Sequence, residues 1–328
     1  MSSDSFLKRL FARPEAGPAI LLLLLIIVFT SINPAFLSIQ NISNTLAFTV
    51  ELGLIALGMT LLMTSGEFDL SVGSLFGLTP VLMWALFNSG ATSLLVAFLV
   101  AMAIAALIGL INGWFVTALR IPSFLVTLGM LLVARGTALY ITDGFPQRTW
   151  SADGEWVASV LVGSFEIGPL RLYMSLFWFV LFALLAHYLL TKTRKGNWIQ
   201  AAGGNPNAAM ARGVRVRQTK VQLFILSSML AGFAGIISSI RTSAANPNSG
   251  TGYELEVIAM VVIGGTALTG GRGTIIGTVL GIFILRLMRN GIIMVGVPGL
   301  AYNIFIGGII LGMMALHSWL DRRNQSGN

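Results

Sequence analysis

Residues 91–118 read ATSLLVAFLVAMAIAALIGLINGWFVTA, 28 consecutive positions without a charged side chain. A helix needs about 20 apolar residues to cross the ~30 Å hydrocarbon core of a bilayer. This stretch meets that requirement alone. Working outward from it, apolar windows of comparable length fall near residues 17–32, 42–64 and 72–88 on one side, and near 122–142, 172–190, 219–241, 253–268, 273–290 and 298–318 on the other. A chain of 328 residues cannot hide so many apolar helices in a soluble core. Its composition agrees: 55% of the residues are hydrophobic and 10% charged, against about 25% charged in an ordinary soluble domain. The expected fold is an all-α integral membrane protein of about ten transmembrane helices, forming one transmembrane domain over residues 1–328.

The placement of charge orients the spans. Of the 20 Lys and Arg residues, 14 fall on one side: Lys8, Arg9, Arg13, Arg120, Lys192, Arg194, Lys195, Arg212, Arg215, Arg217, Lys220, Arg272, Arg322 and Arg323. Basic residues collect in cytoplasmic loops, so that side is read as the interior and both termini as cytoplasmic. This gives a cytoplasmic tail at 1–16, an outer loop at 143–171, a cytoplasmic loop at 191–218 and a second tail at 319–328. The first apolar segment follows Lys8, Arg9 and Arg13 as a signal peptide would, but no small-residue cleavage site follows it, so it reads as an uncleaved helix. The same distribution disposes of nucleic acid as a partner for a chain of net charge +8.

Several function classes find no support. There is no cysteine, hence no disulfide or thiolate metal site. No H-E-x-x-H pattern, Ser-His-Asp set or paired carboxylate suggests an enzyme or a metal centre. His187 and His317 stand without partners at ligand spacing and read as interfacial residues. G-x-x-x-x-G-K-[ST] is absent, so the chain binds no nucleotide through a P-loop. The run Gly264 to Gly273 lacks the lysine of such a loop, and reads as close helix packing or a re-entrant turn buried in protein. No cofactor is expected. An internal echo joins Gly58–Ser74 to Met260–Thr274, each an apolar helix, a glycine-containing break and a second helix.

Charged residues inside hydrocarbon are costly, which singles out four positions. Arg286 and Arg289, three apart near the outer end of their span, read as snorkelling side chains. Glu51 and Arg135 lie deeper, where an ion pair and a pathway role are both open. Glu67 and Asp69 interrupt the apolar pattern between the second and third spans, and Asp69 followed by Ser71 reads as a helix cap. Within the 191–218 loop, Gly203 to Gly213 has the marks of a short separate helix. Asn205 caps it, Pro206 suits its first position and Gly213 can close it in a left-handed conformation. From these residues alone it is either a solvated connector or a docking helix.

The ordered set of blocks Ser65-Gly66-Glu67-Phe68-Asp69-Leu70-Ser71-Val72-Gly73-Ser74, Asn112-Gly113, Ile121 to Met130, Ala134-Arg135-Gly136, Gly203 to Gly213, Gly252-Tyr253-Glu254-Leu255 and Val262 to Gly273 resembles the permease subunit of a ribose-type sugar ABC importer, within the branched-chain/sugar permease superfamily. The one departure is Glu67-Phe68, where that family more usually has Gly-Ile. The resemblance implies a type II ABC importer-like permease fold. It makes the inner loop a coupling helix that seats in an ATPase, built by Gly204, Asn205, Pro206, Ala208, Ala209, Arg212 and Gly213. It also implies a soluble substrate-binding protein outside, for which Trp150 and Trp156 offer a platform, and a second permease copy or paralogue. Asp69 would lie along the substrate path; Asn112 and Thr127, neutral hydrogen-bonding groups in apolar spans, suit a sugar or polyol route. The competing reading is an ion-coupled secondary transporter, with only Glu51 and Arg135 as midplane groups.

Overall fold

The computed structural model describes residues 15–149 and 155–298 and, beyond them, 301, 302, 304, 305, 307, 308, 311 and 312. Lys8, Arg9, Arg13, Trp150, His317 and both expected tails apart from Glu15 and Ala16 lie outside the described residues, as does most of the 298–318 window. The chain is helical throughout: α1 (Ala16–Ile32), α2 (Ile39–Thr64), α3 (Val72–Asn88), α4 (Leu94–Ala118), α5 (Ser123–Ile141), α6 (Trp156–Val162), α7 (Met174–Lys192), α8 (Arg194–Gly204), α9 (Pro206–Ala211), α10 (Val216–Thr242), α11 (Tyr253–Ile263) and α12 (Ile275–Met294). Two minor sheets accompany them. The strands β1 (Gln147–Arg148) and β4 (Ala244–Ala245) pair antiparallel, as do β2 (Ser164–Ile167) and β3 (Leu170–Tyr173).

Six helices, α2, α4, α5, α7, α10 and α12, are long and apolar enough to cross a membrane, and α1 and α3 are apolar helices of 17 residues each. Their roles divide by burial. α2 and α10 form the centre of the bundle, enclosed on nearly every face, whereas α4, α5 and α7 leave most of their apolar surface uncovered. Leu99, Leu107, Leu132, Val133 and Leu184 are all exposed on that outer layer. Large apolar residues facing outward on helices of spanning length are what a hydrocarbon solvent requires.

The eighth window departs from the expectation of a full crossing. It is helical only over α11, 11 residues or about 16 Å at helical rise. Gly264 and Gly265 then turn the chain into the segment leading to α12. Close packing explains the stop: a side chain at Gly264 would collide with the backbone of Gly277. Of the two sequence readings for Gly264–Gly273, a turn packed against protein is the one realised.

α3 also starts part-way through the bundle. Phe76, in its first turn, packs on Gly235, which lies 19 residues into α10 or about 28 Å from that helix's start. The non-helical stretch 65–71 therefore climbs from one end of the bundle to mid-depth before α3 begins. At the other end the stretch 243–252 descends to the same level before α11 begins, and the two meet, with Gly73 against Gly250. Helix, break and second helix thus recur as α2–α3 and α10–α11. The form expected at Met260–Thr274 is also present, since α11, the glycine-containing 264–274 turn and α12 follow one another there, but that turn lies at the end of the bundle, beside Thr64 and Gly203.

Arg135 holds this junction. Its Nη2 donates to Gly73 O (3.1 Å), and Nη1 donates to Ser249 O (2.8 Å) and to Pro247 O. Broken backbone inside a membrane domain must find partners within the protein. One guanidinium supplies them for the 243–252 break and ties it to the first turn of α3. Replacing Arg135 with Leu should therefore cost about 3 kcal/mol or more, since several buried carbonyls lose their donor together. The thermal midpoint of the purified protein in detergent is expected to fall by many degrees, and an unchanged midpoint would remove Arg135 from this role.

Candidate functional site

Asp69 is fully enclosed in the break between α2 and α3, and Oδ1 accepts from Ser71 N (2.9 Å) and Ser71 Oγ (2.5 Å). This is a turn bond one step ahead of the helix, which shapes the entry to α3. Ser71 is the cap position itself and makes no side-chain cap bond. From α4, Asn112 Nδ2 donates to Ser71 Oγ at 3.0 Å, so two of the three expected path residues share one buried cluster. Asp69 Oδ2, Asn112 Oδ1 and Ser228 Oγ are buried with no hydrogen-bond partner among the described residues. Buried polar groups usually find partners, and their concentration here marks a polar spot at membrane depth. Thr127 is not part of it. Its hydroxyl donates to Ser123 O within α5 at 2.8 Å, and it touches the break only indirectly, through Ser123 Oγ, which accepts from Phe68 N at 3.2 Å.

The unusual Glu67 has a structural partner. Lys220, in the first turns of α10, donates to its Oε1 at 2.5 Å with both side chains mostly covered. The pair ties the lower part of the break to the helix that follows the inner loop.

That loop contains more structure than its sequence promised. α9 is built as expected: Asn205 Oδ1 accepts from Ala208 N (3.0 Å), Pro206 takes the first position and Gly213 has φ +81°. An additional helix, α8, precedes it, capped by Thr193, whose Oγ1 accepts from Gly196 N at 3.1 Å. The missing signal was that threonine, a cap at the start of the helix. Ala209 is buried among Ala202, Val214 and Val216 of its own chain. Pro206, Asn207, Ala208, Met210 and Ala211 of α9 are exposed, as is Arg212 beyond it.

The end of α8 meets the start of the 65–71 break and the 264–274 turn backbone to backbone. Gly203 packs on the backbone of Thr64 and Ser65 and on Gly271, while Gly270 packs on Gly66 and Gly203. Gly271 N also donates to Thr64 O at 2.9 Å. Gly66, Gly270 and Gly271 all have φ between +81° and +85°, a conformation that side chains disfavour. Three segments far apart in sequence thus touch backbone to backbone.

The deep charges are organised on the other side of the bundle, away from α8 and α9. Glu51 is buried and paired with Arg241, whose Nη2 lies 2.5 Å from Oε1; the open question at Glu51 resolves as an ion pair. Arg286 does not snorkel. It is 7% exposed, with Nη1 3.9 Å from Glu256 Oε1. These residues line a cavity of about 520 Å³ between α2, α10 and α12, floored by Tyr253. Sequence reading missed it because Glu51 and Arg241 are 190 positions apart. His187 is half-buried near the end of α7, and among the described residues no cluster of His, Asp and Glu suits a metal.

Comparison with known proteins matches residues 41–314 to the family described as "Branched-chain amino acid transport system / permease component". The ribose import permease protein RbsC of Escherichia coli (strain K12) is 37% identical over 312 residues, covering 95% of this chain and 94% of that one. RbsC of Bacillus subtilis (strain 168) is 35% identical, covering 95% and 94%. The xylose/arabinose import permease protein XylH of Sulfolobus acidocaldarius is 32% identical, covering 88% and 81%. No solved structure matches the chain. A family match over most of the length, joined to six helices fit to cross a membrane, makes this a multi-pass membrane transport component and not an enzyme: the chain belongs to the permease family of the branched-chain amino acid transport system type.

Proposed function

We propose that the chain is the membrane-spanning permease subunit of a binding-protein-dependent ABC importer, which carries a sugar or related polyol across the bacterial inner membrane on ATP hydrolysed by separate subunits. The relatives named as ribose and xylose/arabinose import permeases support the solute class. The observation that carries the mechanism is the glycine junction, where the end of α8 rests on the start of the 65–71 break and on the 264–274 turn. In this reading α8 and α9 face the cytoplasm, about ten segments enter the membrane in a type II importer-like arrangement, and both termini are cytoplasmic. The eighth segment, α11, enters only to mid-depth.

The ATPase docks on α9 through its exposed turn, Ala208, Met210, Ala211 and Arg212, flanked by Gly204, Asn205, Pro206 and Gly213. Ala209 anchors that helix to its own chain. Displacement of α9 moves α8, and Gly203 passes the motion to Gly66 on one side and to Gly270 on the other. Gly66 leads to Asp69 and Asn112; Gly270 leads through the turn to α11. A single bistable contact thereby reaches the first break on one side and α11 on the other, which is the kind of element that can couple two distant sites. Asp69 and Asn112 are enclosed in this state, so their cluster borders the route and opens only when the breaks move. A second permease copy or paralogue completes the path, the substrate-binding protein rests on the 143–171 loop, and lipid covers α4, α5 and α7. Glu51 and Arg135, the two groups the sequence offered for ion coupling, are engaged in bonds within the chain.

Two outcomes are expected. Ala208→Trp and Met210→Glu, reconstituted with the ATPase in vesicles, should lower ATP-driven uptake by about tenfold or more, the size of a typical coupling term, while membrane insertion and assembly of the permease persist. Uptake at the original rate would reject docking on α9. Because the chain has no cysteine, single replacements report orientation without background. Arg212→Cys should react with a membrane-impermeant maleimide only in inverted vesicles and Glu166→Cys only in intact cells; the reverse pattern would invert the assignment.

A further inference from the structure

The 520 Å³ cavity between α2, α10 and α12 has the size of a small-molecule site, roughly 300–1,000 Å³. Its position follows from the short helix beneath it. α11 occupies only the half of the bundle nearer α8 and α9, so the space above Tyr253 is left to side chains from α2, α10 and α12. Along α2 the lining runs from Glu51, 13 residues from the α8 end of that helix, to Asn41, 23 residues from it, about 20 and 35 Å at helical rise. The cavity therefore runs from mid-depth towards the outer face.

Its charge is unbalanced. Arg241, Arg286 and Arg289 line it against one carboxylate, Glu51. Arg241 is the guanidinium that Glu51 neutralises. Counting Glu256 behind the wall still leaves three cations and two anions, and Glu256 is shared: its Oε1 accepts from Tyr302 at 2.8 Å and lies 3.9 Å from Arg286 Nη1. Arg286 Nε is buried with no acceptor among the described residues. Arg289 lies over the Tyr302 ring, 4.9 Å from its centroid, a contact that does not engage its in-plane N–H donors. Asn290 spends its amide hydrogens on Asn41 and Thr45. A surplus guanidinium at membrane depth is costly unless something anionic meets it. Arginine's fork of donors matches carboxylate and phosphate oxygens.

We infer that this cavity is a binding site for a small polyhydroxylated solute bearing a carboxylate or phosphate group, with Arg286 and Arg289 taking the anionic end and Asn290 and Tyr253 facing the hydroxylated end. It lies within one subunit and is separate from the Asp69–Asn112 cluster. The inference rests on the reading of the chain as a polyol importer and narrows its solute to an acidic one, or one that visits this site on its way in. The same anionic chemistry is offered by a lipid headgroup, so the test must separate the two.

The full-length permease in nanodiscs of phosphatidylcholine is titrated with gluconate and, separately, with glucose. Gluconate is expected to bind at least tenfold more tightly than glucose and to weaken as salt is raised, as exposed ion pairing does. Arg289→Gln should lower gluconate affinity by about tenfold or more, the scale of a charge-assisted bond, without changing that for glucose, and Arg289→Lys should keep part of the preference. Equal binding of the two solutes, binding of neither, or an acid preference that survives Arg289→Gln would overturn the inference. The comparison of solutes on the unsubstituted protein decides the matter even if a variant fails to fold. Loss of gluconate binding when phosphatidylglycerol is added to the discs would assign the site to a lipid headgroup and overturn the solute. ATP-driven uptake of a neutral sugar together with absent gluconate binding defeats this inference alone; absence of ATP-driven uptake of any polyol defeats the importer reading beneath it.

Discussion

The structure depends on Arg135 and the carbonyls it gathers. A bilayer offers no hydrogen bonds, so a chain that stops being helical at mid-depth must satisfy its freed backbone from within. Here the 243–252 stretch does so through its carbonyls at Pro247 and Ser249, which converge with Gly73 O, in the first turn of α3, on one guanidinium. An arginine alone in hydrocarbon would be prohibitive, and so would the unpaired carbonyls. Each removes the other's cost. The price of this arrangement is rigidity at the junction, which explains why movement is better placed elsewhere.

The elsewhere is the glycine contact. At mid-depth the 243–252 stretch and the first turn of α3 are pinned by directional bonds from Arg135, but at the α8 end the start of the 65–71 break and the 264–274 turn touch α8 through backbone surfaces of Gly66, Gly203, Gly270 and Gly271. Packing of this kind has shape and little bonding. The hydrogen bond from Gly271 N to Thr64 O joins the turn to the end of α2. A loosely bonded contact thus lies below a tightly bonded one, and the salt bridge from Lys220 to Glu67 ties the 65–71 break to the first turns of α10.

Legibility in the sequence followed the range of each interaction. The apolar windows found seven spans almost to the residue, because the hydrocarbon thickness acts on each segment alone: 72–88 and 123–141 are examples. The cap at Asn205 and the close at Gly213 were equally visible, being set by three or four neighbouring residues. What failed was long-range. Whether Arg286 snorkels depends on which neighbour covers its face, and Glu256 and Tyr302 do. Whether Ala209 points to a partner or inward depends on Ala202 and Val216. The glycine breaks at 264–273 and at 243–252 look alike in sequence, and only their depth distinguishes them. Thr127 looked like Asn112 in sequence, yet a threonine can return its proton to its own helix and an asparagine cannot do so as easily.

Depth also separates the two polar regions of the molecule. The Asp69–Asn112 cluster lies between α3, α4 and α10 and is closed; the arginine-lined cavity lies between α2, α10 and α12 and has exposed Phe48 and Ile293 beside it. Only α10 belongs to both. Ser228 reaches the first and Arg241 the second, 13 residues apart along α10, roughly 20 Å. α10 starts at Val216, directly after α9, and Lys220 ties its first turns to the break. A helix that begins at the coupling loop, borders the closed cluster at mid-length and lines the cavity at its far end is stiff enough to move all three together. Any change imposed at α9 is then felt at Arg241, and by reciprocity an anion drawn to the cavity biases the position of α9.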